Sequence, residues 1–197
     1  MGDERRALLE NTLTAAIALH ERAKQHPQPV LDAAAAIIGA LKTGGKLLVF
    51  GNGGSAADAQ HVAAELVGRF ERERAAMAAV ALTTDASVMT SVANDYAFDR
   101  VFARQVEGLG RKGDVALGIS TSGASANVVA GLEAARALGL GTIALTGADG
   151  GAVGRAAAVH VNVPSENAAR VQEVHRTLLH VICDLVERSA VAPAELP

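Results

Sequence analysis

Across residues 4–24, Leu8, Leu9, Leu13, Ala16, Ile17 and Leu19 recur at three- and four-residue spacings, the period of an amphipathic helix. Pro27 and Pro29 end that segment, and the apolar stretch 31–41 predicts a second helix, so the chain opens on a helical hairpin. The pattern then changes. Leu47, Leu48, Val49 and Phe50 follow Lys46 without interruption and stop at Gly51, which reads as a strand buried on both faces. Helical spacing returns over 55–68, then a weak strand at 79–82, helices at 85–94 and 98–109, and a strand at 114–119. A helix at 125–138, a strand at 142–146, a glycine-rich turn, a strand at 159–163 and a long helix at 166–189 complete the chain. Five short apolar runs separated by helices predict a doubly wound α/β fold, a three-layer sandwich around a five-stranded parallel sheet. We read one domain over 1–197, with N-terminal helices at 1–43, the core and C-terminal helix at 44–189, and a frayed tail at 190–197 holding Pro193 and Pro197.

In such a sheet, ligands collect at the carboxyl ends of the strands, where successive connections diverge to opposite faces. The loop after the first strand, Gly51, Asn52, Gly53, Gly54, Ser55 and Ala56, is a G-x-G-x-x-A variant of the dinucleotide fingerprint. The acidic ribose partner that this fingerprint wants about 20 residues later is missing, since Asp85 lies well beyond that point. The next helix instead carries His61 and Glu65, four residues apart and therefore on one face. After the third strand, Ser120, Thr121, Ser122 and Ser125 surround Gly123 ahead of a helix. Backbone amides, hydroxyls and a helix terminus in that arrangement can cradle a phosphate without Lys or Arg. Two rival readings are an ordinary helix cap by Ser122 or Ser125, and a nucleophile elbow in Gly118, Ile119, Ser120, Thr121 and Ser122, whose final glycine is missing. The last helix brings Gln172, His175, His180 and Cys183. Gln172 and His180 are eight apart and project about 80° from one another. Two histidines with a carboxylate and an amide oxygen suit a divalent cation, zinc being the first guess, and the sequence does not distinguish it from iron, nickel or cobalt. His20, His26 and His160 are read as packed polar groups, and the mixed-sign run from Arg69 to Arg74 as a solvated connection.

Composition narrows the partners. The 197 residues are 50% hydrophobic but 3% aromatic, with no Trp, one Tyr and four Phe. Neither single-stranded nucleic acid nor a sugar ring finds a stacking platform in such a chain. A net charge of −3 offers nucleic acid no basic field. Cys183, the single cysteine, excludes an internal disulfide and a cysteine zinc cluster and suits a reducing compartment. The charged N-terminus does not read as a signal peptide, and the longest apolar run, 33–41, is too short to span a bilayer, so a cytoplasmic protein without membrane partners is expected.

Taken together, these stretches resemble the sugar isomerase (SIS) domain family, and within it the phosphoheptose isomerases. The likeness is carried by residues 51–61, 82–85, Asn94 with Asp95, Gly113 with Asp114, residues 118–123, 145–147, and 171–175 with His180. It implies a flavodoxin-like SIS fold, a homotetramer with sites between subunits, and conversion of sedoheptulose 7-phosphate into D-glycero-D-manno-heptose 7-phosphate, which opens activated-heptose synthesis for surface glycans such as lipopolysaccharide. It also implies substrate contacts from Asn52, Gly53, Gly54, Ser55, Glu65, Asn94, Asp95, Ser120, Thr121, Ser122, Ser125 and Gln172. Implied ligands for one zinc ion per subunit are His61, Glu65, Gln172 and His180. Ala124 replaces the Asn or Lys common in relatives, and Ala169 an Asp found in some, which removes polar groups near the serine loop and Gln172. Within the same resemblance, a non-catalytic adaptor for the bacterial replication initiator lacks the pair equivalent to Glu65 and His180, and an isomerase of another phosphosugar would differ in pocket shape.

Ketose–aldose isomerisation moves a proton between neighbouring carbons through an enediol and needs a base, an acid and stabilisation of an oxyanion. Glu65 is assigned as the base and His180 as the acid. Tight ligation of a metal by both would compete with those roles, so either one ligand exchanges or the metal itself polarises the carbonyl.

Overall fold

The computed structural model describes residues 2–191. The tail expected at 190–197 lies outside the described residues from 192 onward. The helical hairpin is α1 (Gly2–Lys24) and α2 (Gln28–Lys42). Pro29 does more than end the first helix. It lies in the first turn of α2, where a missing N–H breaks no helical bond, so α2 starts three residues earlier than its apolar pattern indicates.

The core alternates β1 (Leu47–Gly51), α3 (Gly54–Val67), β2 (Ala79–Ala81), α4 (Ala86–Asp95), α5 (Val101–Leu109), β3 (Val115–Ser120), α6 (Ala126–Ala137), β4 (Gly141–Thr146), α7 (Gly151–Ala156), β5 (Val159–Asn162) and α8 (Ala168–Arg188). The first turn of the helix expected from residue 98 is a short 3-10 segment, Phe98–Arg100. The glycine-rich turn after β4 contains the helix that the sequence pattern missed, α7, entered through Gly150 at φ +86° and Gly151 at φ +52°.

All four strand pairings are parallel and the order is β2-β1-β3-β4-β5. Buried apolar side chains alternate between two layers. Leu47, Val49, Leu117, Ile119, Ile143 and Leu145 pack against α2, α3 and α8. Leu48, Phe50, Ala116 and Ala144 face α5, α6 and α7, with Phe50 stacked on Phe102 at 5.1 Å between ring centroids. The three-layer α/β sandwich is therefore as expected. Helix α1 lies outside the sheet and touches α8 through Leu19, Val171 and Val174, while Leu8, Leu9, Leu13 and Ile17 are exposed. No helix among the described residues is long and apolar enough to cross a membrane.

Candidate active site at the carboxyl edge of the sheet

Strands β1 and β3 are neighbours, yet their following helices go to opposite faces, α3 to one layer and α6 to the other. This is the switch point at which an open parallel sheet leaves a crevice. Gly53, at φ +56°, makes the turn into α3 in a backbone region that side chains rarely tolerate. Neither α3 nor α6 has a side-chain cap on its first amides. Asn52 and Asn127 bridge the crevice through reciprocal amide hydrogen bonds, both 2.8 Å. Asn127 is 2% exposed and is a site residue that the sequence reading missed. Its signal was weak, because an asparagine in the first turn of a helix reads as local capping.

The serine loop closes the crevice on the β3 side. Ser120 is buried and its Oγ lies 2.9 Å from Ser125 Oγ and 3.4 Å from Ser122 Oγ. Ser125 occupies the N-cap position of α6 but its hydroxyl engages Ser120 instead of the helix. The amides at the start of α6 are thus left for an anion, which the positive end of a helix favours. Gly123, at φ +68°, lies against the backbone of Gly150 and Gly151, and its carbonyl accepts from Val153 N at 2.9 Å, which fixes the loop to α7. The nucleophile elbow finds no support. Among the described residues no histidine hydrogen-bonds Ser120. His160 Nε2 meets Thr146 Oγ1 at 2.6 Å, and His175 Nε2 donates to Thr146 O at 2.9 Å.

The ionisable groups gather where α3 meets α8. His61 Nε2 lies 2.7 Å from His180 Nε2 and 3.3 Å from Glu65 Oε1. One ligand atom from each of the three falls within 4.8 Å of the others. Two imidazole nitrogens at such a distance share one proton or face one cation. All three residues are half-buried and so open to a small ligand. The donor set of two imidazoles and a carboxylate matches the chemistry of a divalent metal site.

Gln172 does not hydrogen-bond this trio. Its Nε2 donates to Asp58 Oδ2 at 3.2 Å, and Arg176 pairs with the other oxygen of Asp58 at 2.5 Å. With its amino end committed to Asp58, Gln172 presents Oε1 as the free acceptor. The amide lies so close to Gly54 that a methyl there would sit 2.6 Å from Oε1 and 2.7 Å from Cδ. Ser55 is buried at the start of α3. Thr121, half-buried, places its carbonyl against Gly147. Asn94 and Asp95 stand apart. They are exposed at the end of α4, and Asn94 Nδ2 donates to Asp95 Oδ1 at 2.9 Å.

The run from Arg69 to Arg74 corrects the sequence reading. Arg69, Glu71 and Glu73 are exposed as a solvated connection should be, but Arg72 and Arg74 turn inward onto Glu187, which is fully buried. Burial pushes the Glu187 carboxyl up, and amide hydrogen bonds from Glu71, Phe70 and Arg72 outweigh it, leaving the group below its ordinary range. Burial also pushes the Cys183 thiol up to about 12, which keeps it protonated and a poor nucleophile. His175 is held neutral, its pKa brought down to about 4 by desolvation.

Three comparisons bear on this site. The SIS domain family model matches residues 13–147. A phosphoheptose isomerase from Roseiflexus sp. is 52% identical over 178 residues, 90% of each chain, and one from Aquifex aeolicus is 56% identical over 162 residues, 82% of this chain and 85% of the relative. The structure of a phosphoheptose isomerase from Neisseria gonorrhoeae superposes with a TM-score of 0.88 at 44% identity, covering 95% of this chain and all of the other. Sequence and fold thus agree along nearly the whole chain, and the chain belongs to the phosphoheptose isomerase group of the SIS domain family.

Proposed function

We propose that this chain is an isomerase that converts sedoheptulose 7-phosphate into D-glycero-D-manno-heptose 7-phosphate through an enediol, with the crevice between β1 and β3 as its site. The observation that carries the reading is the meeting of His61, Glu65 and His180 where α3 meets α8, in a chain that also gathers the hydroxyls of Ser120, Ser122 and Ser125 at the end of β3 and shares half its residues with phosphoheptose isomerases. Ser120, Thr121, Ser122 and Ser125, with the first amides of α6, hold the phosphate. Asn52, Gly53, Gly54 and Ser55 line the sugar chain, with Gln172 Oε1 directed to a sugar hydroxyl or to the cation. Anchoring the phosphate brings C1 and C2 to the reacting groups and fixes their orientation, where alignment is worth most. Glu65 takes the proton from C1 while His180 protonates the carbonyl oxygen at C2, giving the 1,2-enediol; return of the proton from Glu65 to C2 and loss of the O1 proton to His180 then give the aldose.

His61, Glu65 and His180 are the residues that would hold zinc, with Gln172 as the fourth ligand, and Glu65 and His180 would act as base and acid only while not tightly bound to it. Zinc bound there would supply Lewis acidity at the substrate carbonyl. The exposure of Asn94 and Asp95 supports a site completed between subunits, and the bare apolar stripe of Leu8, Leu9, Leu13 and Ile17 on α1 supports assembly, here read as a homotetramer. A cytoplasmic enzyme feeding heptose to surface glycans, lipopolysaccharide among them, fits the charge and the buried, unpaired Cys183. A non-catalytic adaptor finds no support in a site that retains both Glu65 and His180.

The test is turnover of the purified, metal-supplied protein on a panel of C5 to C7 ketose phosphates, followed by NMR of the aldose. Preference for the seven-carbon substrate is expected. No aldose from any of them, together with capture of the replication initiator, would replace the enzyme by the adaptor.

A further inference from the structure

The connection between α3 and β2 is held far more firmly than a surface loop requires. Three successive amides, those of Phe70, Glu71 and Arg72, donate to the Glu187 carboxylate at 2.9, 2.8 and 2.9 Å. Consecutive N–H groups converging on one anion form a backbone nest. Arg72 adds an ion pair with Asp184 at 2.6 Å. Arg74 places Nε 3.4 Å from Glu187 and donates through its guanidinium to the carbonyls of Glu65, Leu66, Gly68 and Ala75. The last turn of α3, which carries Glu65, is thereby capped by the same segment that α8 grips through Glu187.

What this anchoring fixes in space is Phe70. Its ring is half-buried against His180, with 5.5 Å between centroids at 37°, while His61 meets the same imidazole at 5.0 Å and 58°. His180 is thus held between two rings. We infer that Phe70, locked by the strap onto Glu187, is a positioning residue that sets the His180 ring so that Nε2 faces His61 and Glu65. The inference rests on the proposed role of His180. A side chain that orients a ligand or acid without touching substrate acts through that group, and loss of such support costs roughly 10- to 100-fold in metal affinity or activity.

The experiment uses the full chain and compares wild type, Phe70→Leu, Phe70→Tyr and Glu187→Gln. Zinc affinity is read by competition with a chromophoric chelator, kcat and KM by turnover of sedoheptulose 7-phosphate, and folding by circular dichroism. Phe70→Leu keeps the apolar bulk but removes the ring, and is expected to weaken zinc and lower kcat by about 10-fold or more, with KM little changed. Phe70→Tyr restores the ring and wild-type values, and Glu187→Gln reproduces the Phe70→Leu losses. Should Glu187→Gln not fold, Phe70→Leu decides alone, because it leaves the anchor intact. Wild-type zinc affinity and kcat in Phe70→Leu would overturn the inference while leaving the proposed function standing. An active wild type that binds no zinc would refute the metal reading, and kcat of Phe70→Leu would then decide the positioning role. A wild type without isomerase activity would refute the proposed function and this inference with it.

Discussion

Replacing Gly54 by alanine separates the work of the site from the stability of the fold. Gly54 has no positive φ, so alanine is tolerated by its backbone, and it opens α3, where alanine is a better helix former than glycine by up to about 1 kcal/mol. The three atoms nearest to the added methyl all belong to the amide of Gln172, the far end of a flexible side chain that can turn away. Turning away breaks the hydrogen bond to Asp58, and a bond to a charged acceptor contributes about 1.5–3 kcal/mol. The gain offsets only part of the loss, so the net destabilisation should be about 0.5–2 kcal/mol, a drop in Tm of about 1–8 °C for a chain of this size. Turnover should suffer more, because moving a positioning group by about 1 Å can cost about 100-fold. Thermal melting by circular dichroism and initial rates on sedoheptulose 7-phosphate measure the two effects on the same sample. The decisive control is the double variant Gly54→Ala with Gln172→Ala. If the methyl acts through Gln172, the double variant is no worse than the poorer single one, since the two changes remove the same contact. Multiplying losses, or a Gly54→Ala enzyme with full kcat, would refute the reasoning.

Two further outcomes follow from buried polar groups. His175 has its folded-state pKa depressed from 6.5 to about 4, chiefly by desolvation, so the folded state binds fewer protons than the unfolded one. Its stability contribution is whole above pH 6.5 and is lost as the pH falls toward about 4; between pH 7 and pH 5 the loss should be about 2 kcal/mol. Urea unfolding at both pH values should show that slope in wild type and a flatter one in His175→Gln, and equal slopes would contradict the assignment. Asn127→Ala strands the Asn52 amide in the crevice, and should lower stability by about 1–3 kcal/mol and raise KM more than it lowers kcat. Denaturant midpoints and steady-state kinetics check the two effects, and an unchanged KM would remove Asn127 from the site.

Where the relevant interaction is local, the sequence was a sufficient guide. Continuous apolar runs mark β1, β3 and β4 because both faces of a central parallel strand are covered, and the four-residue spacing of His61 and Glu65 places them on one helical face at once. Helix α7 was hidden because Gly147, Gly150 and Gly151 look like a turn, when two of them supply the left-handed entry to a helix. The strap was misread for a different reason. Alternating charges over 69–74 describe a surface segment until Glu187, more than a hundred residues later, supplies the buried acceptor. Asn127 and the Gln172–Asp58 bond likewise depend on which helices end beside which strands. Local pattern carries no record of that order, and the pairing of β1 with both β2 and β3 creates it.

The central claim is that Glu65, within reach of His61 and His180, moves the proton of an open-chain phosphoketose. Its most direct test is solvent exchange at C1 of sedoheptulose 7-phosphate in D2O, followed by proton NMR with wild type and Glu65→Gln at saturating substrate. The account predicts deuterium entry and aldose formation with wild type. Glu65→Gln should be slower in both by about 100-fold or more, the usual contribution of a positioned general base, while still binding substrate. Exchange and turnover at the wild-type rate in Glu65→Gln would contradict it.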